Sequence, residues 1–178
     1  LDAATEAGVS RRAWFRAIAA GDVEALSSRV VRTIGSSETF QQRVLAAVWS
    51  AGSGALASHR SAARLWGVTR PESDPIDVVV LDGSRHQARE GVVLHRPTDT
   101  KNTGAVVLDG IPTTRVTRML VDLGAVDGWG VLDAMAAMLA ANRVTMNQIG
   151  DTLGRHSKQG RHGVVALRRA ALAWSEHS

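Results

Sequence analysis

Ser10-Arg-Arg-Ala-Trp-Phe-Arg-Ala-Ile-Ala-Ala-Gly21 is a short helix with both of its ends signalled in the sequence. Ser10 supplies an N-cap, Val9 and Trp14 stand at the N′ and N4 positions of a hydrophobic staple, and Gly21 provides a left-handed stop. At about 100° per residue, Ala13, Trp14, Ala17 and Ile18 fall on one side, while Arg11, Arg12 and Arg16 span the other with Phe15 between them. The segment predicts a helix that packs through one face and presents arginine, with no acid among it, on the other. Trp14 belongs to the packing side and is excluded from any contact surface. For this segment alone, the competing reading is a solvated amphipathic helix, since arginine is common on exposed helical faces.

The flanking sequence gives this helix a context. Leu1 to Ala7 can form a preceding helix, Gly8 suits a tight turn, and Val23–Leu26 with Val30–Thr33 can pair as a small β-wing. Residues 1–35 are therefore expected to form a winged helix-turn-helix. Its DNA-contact candidates are Ser10, Arg11, Arg12, Arg16, Arg29 and Arg32. Arg12 and Arg16 stand one turn apart, so both can face a major groove, where guanidinium groups meet guanine edges or phosphates. Ser10 and the first-turn amides can hold a phosphate, or Ser10 can act as a plain cap.

With 178 residues and 44% hydrophobic content, the chain can bury a sizeable core as one large or two small domains. No apolar run approaches the length of a membrane span, and no secretory signal opens the sequence. The absence of cysteine excludes disulfides and thiolate zinc sites and fits a reducing compartment, so cytoplasm is the expected location. Leu1 is not an initiator methionine and no obvious stop signal accompanies Ser178, which leaves both ends open to truncation. The net charge of +4 is uneven: residues 1–35 sum to +1, residues 36–141 to −1 and residues 142–178 to +4. Bulk charge thus does not single out the arginine helix, and local clustering has to.

From Gly35-Ser36-Ser37 a second unit, residues 36–178, is expected. It begins with a helix from Glu38 to about Ser50, capped by Ser37, with Phe40, Val44, Ala47 and Val48 inward. A helix from His59 to Trp66 capped by Ser58 follows, then strands at Ile76–Leu81, Gly91–His95 and Ala105–Leu108. Asp109-Gly-Ile-Pro112 reads as a turn. Thr113 or Thr114 then caps a helix with Val116, Leu120 and Leu123 inward, ended by Gly124 or Gly128. Val131–Asn142 is a further helix with Leu132, Met135 and Leu139 inward. Thr145-Met-Asn-Gln148 is a capping box for a helix to Leu153, and Val164–Trp174 is a last amphipathic helix. The fold class is α+β: a winged helix-turn-helix followed by a small mixed α/β domain with a helical C-terminal part.

Three phrases stand out together: Ala57-Ser-His-Arg-Ser-Ala-Ala-Arg-Leu-Trp-Gly-Val68, Val93-Leu-His-Arg96 and Asp109-Gly-Ile-Pro-Thr-Thr-Arg-Val-Thr-Arg-Met-Leu-Val-Asp-Leu123. In them the chain resembles the AbiEi-like antitoxin family of type IV toxin-antitoxin systems, in its actinobacterial form, over nearly its whole length. The resemblance implies a regulator that binds operator DNA, autorepresses its operon and counters a nucleotidyltransferase-like toxin through the second domain. Many similar proteins continue into a nuclease-like domain related to very-short-patch-repair endonucleases. The alternatives are therefore a DNA-targeting portion of such a nuclease and a protein-binding antitoxin module without DNA specificity. A homodimer is compatible with paired half-sites.

Other residues carry weaker signals. His59 and His95, each followed by arginine, invite a metal or phosphate site, but a ligand set needs a third convergent group such as Asp77, and a hydrogen-bonded structural role is the expectation. Arg118 and Asp122 are four apart on one helix and can pair; if buried, they fix that helix against the sheet. Arg155, Lys158, Arg161, Arg168 and Arg169 form a basic tail read as a solvated linker. Asp99-Thr-Lys101 has the acid-x-lysine spacing of a metal-dependent nuclease, but Pro97 before it and Asn-Thr-Gly after it make a loop rather than a rigid strand. No catalytic residue, metal or cofactor is assigned, and the chain is not read as an enzyme.

Overall fold

The computed structural model describes residue 5 and residues 8–27, 30–81, 88–98, 100, 103–156 and 162–177. The expected helix before Gly8 and the positions of Arg29, Asp99, Lys101, Lys158 and Arg161 lie largely or wholly outside them. Helix α1 (Arg11–Ala20) is followed by β1 (Val23–Ala25) and β2 (Val31–Thr33), which pair antiparallel with Val23 opposite Thr33. Next come α2 (Phe40–Ala51), β3 (Leu56–Ala57), α3 (His59–Leu65), β4 (Ile76–Val79), β5 (Val92–His95), β6 (Ala105–Leu108) and β7 (Ile111–Thr114). The chain continues through α4 (Val116–Val126), α5 (Gly130–Ala140), α6 (Met146–Arg155) and α7 (His162–His177). The fold is α+β. Strands β3 to β7 form one mixed sheet in the order β5-β4-β3-β7-β6.

Strand β4 explains how this sheet is covered on both faces. Ile76 and Val78 point into a core with Val44, Ala47, Val48 and Ala51 of α2 and Ile111 of β7. Asp77, between them, turns to the opposite face and meets α3. Alternation along a strand buried on both sides places consecutive residues in different environments. A second, larger core joins Ala62 and Ala63 of α3 to Met119, Leu120 and Leu123 of α4, Met135 of α5, Ile149 of α6 and Leu167 of α7.

Several local expectations change. Helix α2 is capped by Thr39 rather than Ser37. The Thr39 side chain accepts from the Gln42 amide while Gln42 reaches back to the Thr39 amide, a reciprocal box that a lone serine cannot form. Only Asp109 and Gly110 form the turn before Ile111. Both have positive φ (49° and 77°), as a two-residue type I′ hairpin needs, and Leu108 pairs with Ile111. Thr113 and Thr114 are therefore strand residues rather than caps, and the two-residue strand β3 runs parallel to β7 at Ala57 and Thr113.

Gly124 does not end α4; it lies inside the helix, which runs to Val126. A Cβ there would fall 2.7 Å from the Gly163 carbonyl oxygen, so the two glycines let α4 and α7 approach closely. In α5 the inward stripe is Val131, Ala134, Met135 and Met138, spaced i, i+3, i+4 and i+7. Leu132 is exposed and Leu139 half-buried, because α5 is apolar around most of its circumference and its neighbours select the buried side.

Candidate nucleic-acid interface

The arginine helix carries its two faces as its periodicity predicts. Ala13, Trp14, Ala17 and Ile18 are half-buried, whereas Arg11, Arg12, Phe15 and Arg16 are exposed. The Ser10 side chain accepts from the Ala13 amide at 3.2 Å, and Gly21 closes the helix at φ 75°, its amide reaching back toward the Ile18 carbonyl. Val9 is itself exposed. The Arg11 guanidinium lies 5.9 Å from the centre of the Phe15 ring, a cation–π distance. Among the described residues, neither Arg12 nor Arg16 has a hydrogen-bond or ion-pair partner, so their donors face solvent.

The hairpin treats its charge differently. Arg32 donates to Glu24 across the β1–β2 pair at 2.7 Å and also lies 3.1 Å from Glu38. These two carboxylates, the Glu24 hydrogen bond foremost, hold the Arg32 guanidinium above its ordinary value. Arg29, the other hairpin candidate, lies outside the described residues. The hairpin is joined to α2 by a 3.0 Å hydrogen bond between the Ser27 and Ser50 hydroxyls.

A second constellation forms at the start of α3. Asp77, fully buried, accepts from Arg60 through Nε at 2.7 Å and Nη2 at 2.9 Å, and from His95 Nε2 at 2.8 Å. Its Oδ2 also accepts from the Arg60 amide at 3.2 Å, and its own amide donates to the Ser61 hydroxyl. The α3 N-terminus is thus capped by a carboxylate from β4. Ser58, expected to cap it, makes no such bond and instead lies 2.9 Å from His59 Nδ1. His59 stacks on His95 with ring centres 3.6 Å apart and has a φ of 48°, a left-handed conformation uncommon for a residue with a side chain.

The charges follow from this geometry. Burial, reinforced by His95, lowers the His59 pKa to about 3, so its imidazole is neutral at pH 7. Burial alone would raise the Asp77 pKa, but hydrogen bonds from His95 and Arg60 outweigh it and hold the carboxyl below its ordinary value. The three groups weighed as a metal set do converge, yet both Asp77 oxygens are taken up by Arg60 and His95. Among the described residues, no cluster of three or more His, Cys, Asp or Glu side chains is placed to hold a metal. Arg118 and Asp122 are both buried and pair at 2.7 Å, with Arg118 Nη1 donating to Thr103 at 3.4 Å.

Three features of this region have different visibility in sequence. The His-Arg pairs at 59–60 and 95–96 were the visible signal, whereas the His59–His95 stack and the carboxylate cap depend on β4 and β5 lying parallel with Val79 opposite His95. Arg115 stands within the 109–123 phrase without a role of its own, and nothing in the sequence marks His156. Comparison with protein-family models and with curated proteins finds no match to this chain.

Proposed function

We propose that this protein is a sequence-specific DNA-binding regulator of the antitoxin type, acting in the cytoplasm through a winged helix built on α1 and the β1–β2 hairpin. The observation that carries the reading is the exposed, unpartnered pair Arg12 and Arg16, one turn apart on a helix whose opposite stripe is half-buried. Two guanidinium groups so placed match guanine edges and phosphates, and on this reading the β1–β2 hairpin serves as the wing. Autorepression of an operon and neutralisation of a nucleotidyltransferase-like toxin come from the family resemblance, with residues 36–178 as the unit for that second task. Binding as a homodimer would suit paired half-sites. On this reading the protein acts without catalysis of its own.

A gel-shift with the DNA upstream of the protein's own gene tests the reading. The double variant Arg12→Ala, Arg16→Ala should lose about tenfold or more of the specific affinity while melting like the parent. Specific binding retained by the double variant would sink the residue assignment, and absence of specific binding by the parent would sink the reading itself.

A further inference from the structure

The first turn of α4, the segment before β6 and the end of α6 enclose a cavity of about 340 Å³, at the small end of ligand-site sizes. Arg115, Arg118 and Arg155 line it together with Thr103, Thr117 and the buried His156, and among the described residues no lining side chain is acidic. Arg118 is buried, whereas Arg115 and Arg155 reach the cavity from exposed positions. Arg118 is fixed by Asp122 and Thr103, Arg155 donates to Thr152 at 3.3 Å, and the Arg115 stem lies where a side chain at residue 104 would be. A Cβ on Gly104 would come 2.7 Å from Arg115 Cδ, and its φ of 55° also favours glycine.

Three guanidinium groups around one small space repel one another, and Asp122 pairs with Arg118 among them. An anion in the cavity removes that repulsion. Residue Arg115 is also the N-cap of α4 and offers no side-chain acceptor to the first-turn amides, so the positive end of the helix adds to the same field. Planar forks match phosphoryl oxygens in pairs, and the Thr117 hydroxyl can add a neutral donor, whereas those of Thr103 and Thr152 already donate to the Thr100 and Gln148 carbonyls. Among the described residues the lining holds three guanidinium groups and no Phe or Trp, so charge is the feature it offers a ligand first.

We propose that this cavity is a phosphoryl-anion site on the second unit, separate from the arginine face of α1 and independent of it. The ligand is a group carrying at least two negative charges on phosphoryl oxygens, whether from a small phosphorylated molecule or from a nucleic-acid backbone.

The test is calorimetric titration of the full chain with inorganic tripolyphosphate, beside the exposed double variant Arg115→Gln, Arg155→Gln. Arg43→Gln, Arg89→Gln, which removes the same charge from exposed positions elsewhere, serves as the control. Saturable one-to-one binding is expected, weakened about tenfold or more in the cavity variant and little changed in the control. Binding that is absent at millimolar probe, or weakened equally in both variants, would overturn the proposal. Thermal melts of both variants verify folding. A duplex DNA that competes with tripolyphosphate and binds the cavity variant more weakly assigns the phosphate to a nucleic-acid backbone. Competition by a nucleoside triphosphate without that duplex effect assigns it to a small molecule.

Discussion

His59 concentrates three unusual properties in one side chain: it is buried, it stacks on another histidine, and its backbone is left-handed. A left-handed L-residue costs about 1–2 kcal/mol, which the stack and the Ser58 contact help to offset. Burial keeps the ring neutral, so the folded protein resists a proton that the unfolded chain accepts near the ordinary histidine value of 6.5. Between that value and about 3 the unfolded state binds more protons, and stability must therefore fall as the pH falls through this window. Asp77 adds to acid lability only below its ordinary value of 3.8, because its folded pKa is lowered. Melting temperature followed from pH 7 to pH 4 should drop in the parent and drop less in His59→Asn, where asparagine tolerates the same backbone and does not titrate. Equal slopes would show that His59 does not govern the effect.

Among the elements, α1 and α6 form where caps and apolar periodicity agree, and their expected ends match the observed ones to within a residue or two. Both depend on bonds between neighbours in sequence, Ser10 to the Ala13 amide and Thr145 with Gln148, which local sequence is able to announce. Strand β7 escaped because Pro112 and the Asp-Gly pair read as one long turn. In fact the two-residue loop ends at Gly110, and Pro112 is accommodated opposite Val107 in a strand otherwise buried against β3. The α4–α7 contact is a matter of backbone proximity: Gly163 lies against the Val121 carbonyl, and Gly124 against Gly163. Replacing Gly163 by alanine should force these helices apart and destabilise the fold by about 3 kcal/mol, the upper part of the overpacking range. Urea unfolding monitored by circular dichroism measures this. A change within a few tenths of a kcal/mol would mean that the helices shift without cost.

Across the whole molecule, charge is distributed so that no single field dominates: the N-terminal segment sums to +1, and the largest surplus, +4, belongs to residues 142–178. Association with DNA, as proposed, should then depend on local arginines more than on net charge. If the α1 arginines touch phosphate, each contributes close to −0.9 to the slope of log K against log salt, and Arg12→Ala, Arg16→Ala should make that slope shallower by about 2. An unchanged slope with lost sequence preference would place the pair on base edges instead. Among the described residues, no helix is long and apolar enough to cross a membrane. The sequence by itself determined the helices, the hairpin after α1 and the two-faced character of α1, because caps, turns and amphipathic period act between residues a few positions apart. Only the tertiary structure decided which side of α5 is buried, that Asp77 caps α3, and that Arg115, Arg118 and Arg155 share one cavity. Those relations join residues far apart in sequence, and they exist only once the sheet order β5-β4-β3-β7-β6 and the packing of α3 to α7 are set.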